Sequence, residues 1–444
     1  MNSALRRRSF LHGALGLGGA LSLLRAPNAH ALGMAPAPSA ASEARPWYEL
    51  GSLSDPIMNS QLLHFLAATY SAQADIGEVL DTATRIRVED EWSWPNEWVR
   101  TADRIHAMAE QSVAKRRWIS SGNAYLRAAN YYRAALIHHP EPTHPSVLET
   151  GRKAVAAYDK AIFLLRIPAH PVRIPYEKST LPGYFFRSPN AWSKAPLLIF
   201  TQGRDAWPEE SKYIIDGALE RGYHCLIVHA PGQGMALREH GLPFRPDWEK
   251  VVTPVVNFAT RIAGVDTRRM ALLGWSMGGA LVPRAAAFEK RIKLLIPNPG
   301  VMDWGKAHFD QFNQNFPDIM ALLDRDPAAF DAAMAQLMEQ VFLYRWYMKD
   351  AMFKHGATSP SDLLFKLREF TNEPVVQRIT ARTLVMDGTG ESFTPGQAKL
   401  LFDALTCPKD YMLFNAEDTG LLHCQEAAQA VANHRMFDWF DEYI

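Results

Sequence analysis

The run Met270-Ala-Leu-Leu-Gly-Trp-Ser-Met-Gly-Gly279 constrains this chain more than any other stretch. An apolar segment breaks into Gly274-Trp275-Ser276-Met277-Gly278, and the helix-forming residues Ala280 to Lys290 follow. The order reads as strand, sharp turn, helix. Glycines two residues to either side of Ser276 remove Cβ atoms that would collide in so strained a turn, so the serine hydroxyl projects from the top of a sheet. A G-x-S-x-G is expected by chance only about 0.1 times in such a chain, before any flanking strand or helix is required. The stretch is read as a nucleophile elbow.

The rest of the C-terminal part supplies the sheet that an elbow needs. Val172 to Tyr176 and Gly183 to Arg187 read as short strands with a turn between them, and Ala195 to Thr201 is a continuous apolar run of the kind buried on both faces. Further strands are expected at Tyr223 to His229, Ile292 to Ile296, Arg382 to Asp387 and Tyr411 to Phe414. Helices are expected between them at 207 to 221, 247 to 262 and 395 to 405, with a closing helix from about Gln425 to Tyr443. Alternating strands and helices imply an α/β fold with a mostly parallel sheet and right-handed crossovers.

Two helical stretches interrupt that alternation. Residues 51–168 carry helical apolar spacing, and the segment Pro145 to Leu164 is expected to be capped by Thr143 or Ser146. Within Tyr125 to Ala135, aromatics and arginines recur at helical spacing, read as core plus solvated arginines. Residues 303–372 are helical and rich in methionine and aromatics, and an insertion there overhangs the elbow as a cap; a helical homodimerisation patch is the alternative. The remaining segments, 169–302 and 373–444, form the core.

The first 31 residues look like an address. Arg6-Arg7-Arg8-Ser9-Phe10-Leu11 is a twin arginine followed by a polar and two apolar residues, Ala14 to Leu24 is a short apolar core, and Ala29-His30-Ala31 is a small-x-small cleavage site. The pattern resembles a twin-arginine export signal. Handling by that export machinery would leave 413 residues (444 − 31) in the periplasm or outside the cell, with 32–50 as a loose Ala/Pro/Ser-rich leader.

Composition narrows the partner. Lys+Arg and Asp+Glu both number 47, so no basic surface is advertised for a nucleic acid, and a small-molecule substrate fits better. The three cysteines, Cys225, Cys407 and Cys424, are too few and scattered for a disulfide framework or thiolate metal site. Gly232-Gln-Gly234 begins like a dinucleotide loop but lacks the third glycine, and no histidine pairing suggests a metal; no cofactor is expected.

A serine needs a base, and the base needs an acid that fixes its tautomer. The loop Phe414 to Gln425 holds a single histidine, His423, after the final strand. The late strand ends in Asp387-Gly-Thr-Gly-Glu391; Glu391, past the turn-making glycine, is favoured as the acid over Asp387. Two backbone donors are also needed. The Met277 N–H after the nucleophile is one, and the other comes from the loop Gln202-Gly203-Arg204-Asp205, with Gly203 and Arg204 both open as its source. Cys424 adjoins His423, but the elbow already offers a better-placed nucleophile.

The elbow, Pro231-Gly-Gln-Gly234, Pro299-Gly-Val-Met-Asp303 and the Glu-Asp-Thr-Gly-Leu-Leu-His-Cys-Gln run ending at Gln425 resemble the α/β-hydrolases related to 2,6-dihydroxypseudooxynicotine hydrolase and the fungal polyketide-shortening hydrolases. The similarity covers about residues 50 to 444. It implies an α/β-hydrolase fold with a helical N-terminal domain, and a serine hydrolase that cleaves esters or a carbon–carbon bond next to a ketone. It assigns Ser276 as nucleophile, His423 as base and position 391 as acid, where this chain has glutamate and the family usually aspartate. The alternatives are a prolyl-oligopeptidase-like peptidase and a non-catalytic binding protein on the same fold.

Overall fold

The computed structural model describes residues 46–444, so the export signal and most of the loose leader lie outside the described residues. Among the described residues five α-helices come first: α1 (Pro56–Ala67), α2 (Ile76–Arg85), α3 (Ser93–Ala114), α4 (Trp118–Ala134) and α5 (Pro145–Leu165). Helix α5 is capped by neither Thr143 nor Ser146. The imidazole of His144 accepts the Ser146 N–H instead, because Pro145 occupies the first turn and leaves His144 as the last extended residue.

An antiparallel pair, β1 (Ala169–Tyr176) and β2 (Ser179–Phe186), leads into β3 (Ala195–Thr201), α6 (Lys212–Glu220), β4 (His224–Val228), α7 (Gly234–Arg238), α8 (Glu249–Ala259), β5 (Val265–Trp275), α9 (Gly278–Phe288) and β6 (Leu294–Asn298). The inserted helices follow: α10 (Trp304–Asn315), α11 (Pro317–Met320), α12 (Pro327–Gln340), α13 (Phe342–His355) and α14 (Pro360–Leu367). The chain then returns to the sheet with β7 (Arg382–Gly388), α15 (Gln397–Ala404), β8 (Lys409–Phe414) and α16 (Gln429–Tyr443). Helix α16 begins later than the sequence suggests, since Cys424, Gln425 and Ala427 all take positive φ, which a right-handed helix does not admit.

The eight strands lie in the order β1-β2-β4-β3-β5-β6-β7-β8, with β2 antiparallel to both neighbours and the rest parallel. Side chains alternate between the faces at period two. Leu197, Ile199, Leu226, Leu272 and Val385 join a core shared with α8, α9 and the inserted helices. Leu198, Phe200, Ile227, Leu273 and Met386 point the other way, into a core shared with α6, α16 and the N-terminal helices. Both faces are dry, which is why the strands read as unbroken apolar runs. The insertion leaves and rejoins the sheet at one place: Asp303 bridges Thr371, the Trp304 N–H donates to Phe370 O at 3.0 Å and the Asn372 N–H donates to Met302 O at 2.8 Å.

Candidate active site

Strand β5 delivers Ser276 to the sheet's carboxyl edge in left-handed backbone, φ +56°, immediately before α9. A Cβ at Gly274 would stand 2.2 Å from Gly278 O, and one at Gly278 would stand 2.6 Å from Thr201 O, so the turn closes only with glycine at both positions. The Ser276 N–H donates to the Asn298 carbonyl at the end of β6, 2.7 Å away, which anchors the strained residue.

The structure brings the three side chains together. His423 Nε2 lies 2.8 Å from Ser276 Oγ, and His423 Nδ1 lies 2.6 Å from Glu391 Oε2. An ionised carboxylate can only accept, so the neutral ring donates from Nδ1 and leaves Nε2 to accept the serine proton. Glu391 is held in place by the Phe393 and Thr394 N–H groups on Oε1, at 2.8 and 3.0 Å. Burial raises its pKa, but the His423 ring and those two N–H groups outweigh that and hold it below the usual glutamate value. Asp387 stands apart, accepting from Tyr411 Oη at 2.6 Å and from the Gly388 N–H at 2.8 Å.

Burial also disfavours charge on His423, yet the Cys424 and Glu391 side chains beside it more than offset this and place its pKa well above the ordinary histidine value. The Cys424 thiol is itself pushed up by burial, against the opposing pull of the His423 ring. Cys424 Sγ also donates to the Asn298 carbonyl, 3.3 Å distant.

Gly203 lies against the nucleophile: a Cβ there would be 2.7 Å from Ser276 Cβ and 3.3 Å from Oγ. Met277 is buried at the start of α9, where N–H groups lack intrahelical acceptors and the helix dipole favours negative charge. Gly203 and the start of α9 thus both adjoin Ser276. The Arg204 guanidinium is engaged elsewhere, bound to Asp350 Oδ2 at 2.5 Å with its plane over Tyr347 at 4.9 Å.

Residues 181–437, more than half of the chain, match the family model described as the alpha/beta hydrolase family. This chain is an α/β hydrolase. It is 32% identical over 406 residues to hydrolase LUC6 of a Fusarium species, covering 86% of this chain and 96% of that protein. It is 31% identical to the 20-hydroxy-prefusarin hydrolase FUS2 of Gibberella moniliformis, covering 86% and 95%. Among solved structures, 2,6-dihydroxy-pseudo-oxynicotine hydrolase superposes with a TM-score of 0.66 at 18% identity over 85% of this chain and 95% of that one, a likeness of fold.

Several residues that shape this hydrolase's site were not singled out from sequence. On α13, Tyr347, Asp350 and Lys354 share one helical face and meet the 202–205 loop. Lys354 Nζ pairs with Asp205 and, at 2.8 Å, with Asp350; burial raises the Asp205 pKa, but Lys354 and Arg204 outweigh it and hold the carboxyl far below its usual value. From α10, Gln311 donates to the Ser392 and Phe393 carbonyls at 3.0 and 2.8 Å and so braces the turn that carries Glu391.

Arg133, read from its spacing as solvated, is 3% exposed. It binds Glu210 at 2.6 Å and the Asp205 carbonyl at 3.1 Å, so α4 reaches the same loop. Asn298 lies two residues past the expected end of its strand, at the last position of β6; its side chain donates to Gln425 Oε1 at 2.8 Å and ties β6 to the His423 loop. A lone amide at the end of such a run was the available signal.

Proposed function

We propose that this hydrolase acts through Ser276, cleaving an ester or a ketone-adjacent carbon–carbon bond of a small apolar or aromatic acyl compound by way of an acyl-enzyme. The observation that carries the reading is the continuous chain Ser276 Oγ, His423, Glu391, at 2.8 and 2.6 Å, with the serine held at positive φ beside backbone donors. His423 Nε2 takes the proton as Oγ attacks the carbonyl carbon, and the oxyanion falls to the N–H of Met277 and of Gly203 or Arg204. The leaving alkoxide or enolate takes that proton from His423 as its bond to the carbonyl carbon breaks. Water then attacks the acyl carbon as His423 takes its proton, the bond to Oγ breaks with that proton returned to Oγ, and the carboxylic acid leaves.

The substrate class draws support from two sides. The similar FUS2 is named for 20-hydroxy-prefusarin, and the structural neighbour for 2,6-dihydroxy-pseudo-oxynicotine. The 303–372 insertion is rich in aromatic and methionine side chains, a composition that favours a bulky apolar or aromatic acyl compound. The twin-arginine pattern at the N-terminus supports action after export, which sequencing of the mature N-terminus checks at Leu32.

Labelling of the mature protein by a fluorophosphonate tests the chemistry. Modification at Ser276 that disappears in Ser276→Ala and His423→Ala supports it, and turnover of aryl esters against β-diketones then separates the two bond types. Well-folded protein that resists the probe and turns over neither substrate class would overturn the reading.

A further inference from the structure

The Pro231-Gly-Gln-Gly234 loop takes no part in the Ser276, His423 and Glu391 arrangement, yet its glutamine is 1% exposed. The Gln233 Nε2 amide donates to the Gln202 carbonyl at 2.6 Å and to the Gly203 carbonyl at 3.0 Å. Both protons of one side-chain amide are therefore spent on two successive peptide carbonyls. No other uncharged side chain except asparagine offers two such protons on one nitrogen, and asparagine is a carbon shorter.

Those two carbonyls belong to the peptide units whose N–H groups are carried by Gly203 and Arg204. In a planar trans peptide the C=O and the following N–H point in opposite directions. Holding both carbonyls toward Gln233 turns both N–H groups away from it, and Gly203 at that point lies against Ser276. The glutamine is itself fixed: its N–H donates to the Ala230 carbonyl at 2.9 Å, and the Gly232 N–H donates to Leu242 O at 2.6 Å. Among the described residues Gln233 Oε1 has no hydrogen-bond partner. A buried amide whose acceptor end goes unpaired costs stability, which sets its donor end apart as what this position retains.

We propose that Gln233 is the positioning residue of the oxyanion site: it does not touch substrate, but sets the peptide planes that present the Gly203 and Arg204 N–H groups to the acyl oxygen. The inference rests on the reading of Ser276 as nucleophile. Releasing the two carbonyls lets these planes rotate and withdraws a donor from the transition state while leaving the serine and its base in place.

The test compares wild type, Ser276→Ala, Gln233→Met and Gln233→Glu on an aryl ester that wild type turns over, with thermal unfolding alongside. Methionine keeps the volume without donors, and glutamate keeps the shape but faces the two carbonyls with acceptors. The expected result is a fall in kcat of about 10²-fold in both variants, the scale of a misplaced transition-state contact. KM should change little. Fluorophosphonate labelling should slow in proportion, because the phosphoryl oxygen uses the same N–H groups, and the acid limb of the pH profile should not move, because Glu391 and His423 are untouched. Full kcat in Gln233→Met overturns the proposal. So does a kcat loss without slower labelling, a shifted acid limb, or failure of both variants to fold, each of which makes the residue a structural or different element. Activity surviving in Ser276→Ala instead overturns the underlying reading, whatever Gln233 does.

Discussion

At the scale of single residues, the departure that matters is glutamate at position 391. Its extra methylene is taken up by the turn after β7: the Phe393 and Thr394 N–H groups grip one carboxylate oxygen and leave the other on His423 Nδ1. Since the His423 pKa lies above the ordinary value, and the base works only as the neutral ring, kcat/KM should rise with pH through a limb placed above about 6.5. Cys424 and Glu391 both raise it, and replacing Glu391 by Gln removes the carboxylate's share. In Glu391→Gln the limb should therefore move to lower pH, while the rate falls by about 10³- to 10⁴-fold because the amide no longer fixes the tautomer. A pH series of kcat/KM for both proteins measures this, and a limb that stays in place would show that the carboxylate does not set the ring's charge.

At the scale of elements, the 202–205 loop is held between two helices from distant parts of the chain. Helix α13 offers Asp350 and Lys354, 3% and 4% exposed, while α4 offers Arg133. Buried charges of this kind depend on one another, and removing one strands its partners in a medium that cannot solvate them. Asp350→Asn should cost about 3 to 5 kcal/mol in urea unfolding. The exposed pair Lys399–Asp403, whose side chains are 61% and 57% exposed, makes the control, and Asp403→Asn should change stability by less than about 1 kcal/mol. Equal effects would mean that the α13 cluster is solvated.

The same contrast explains what a reader of the sequence can and cannot see. Ser276, its glycines and the lone histidine of the last loop are coded by spacing within one short segment, and the apolar strands announce a sheet covered on both faces. Arg133 was misread because helical spacing marks a face without telling whether water or Glu210, 77 residues onward, lies beside it. Gln233 escaped because its acceptors lie 31 and 30 residues back. Only folding puts them within reach.

At the scale of the whole molecule, the N-terminal helices share one face of the sheet's core, and a charged contact sews them to the loop that carries His423. His64 of α1 sits 3.4 Å from Glu426, three residues past the base, and 3.7 Å from Glu210. Burial alone would lower its pKa, but the two glutamates outweigh burial and raise it from 6.5 to about 9. A histidine raised in this way stabilises the fold fully below its unfolded pKa, near 6.5, and the benefit is lost as pH climbs through about 9. Its size should be about 2 kcal/mol, after allowance for the 28% of the side chain that water reaches. Urea unfolding of wild type and His64→Gln at pH 6, 7.5 and above 9 measures it. Wild type should lead by that amount at pH 6, by less at 7.5, and by nothing once the ring is neutral, since neutral imidazole and amide then face the same pair of glutamates. A gap that holds across the whole range would mean that His64 contributes packing alone, and that the helical domain is joined to the His423 loop by its apolar core without help from this charge.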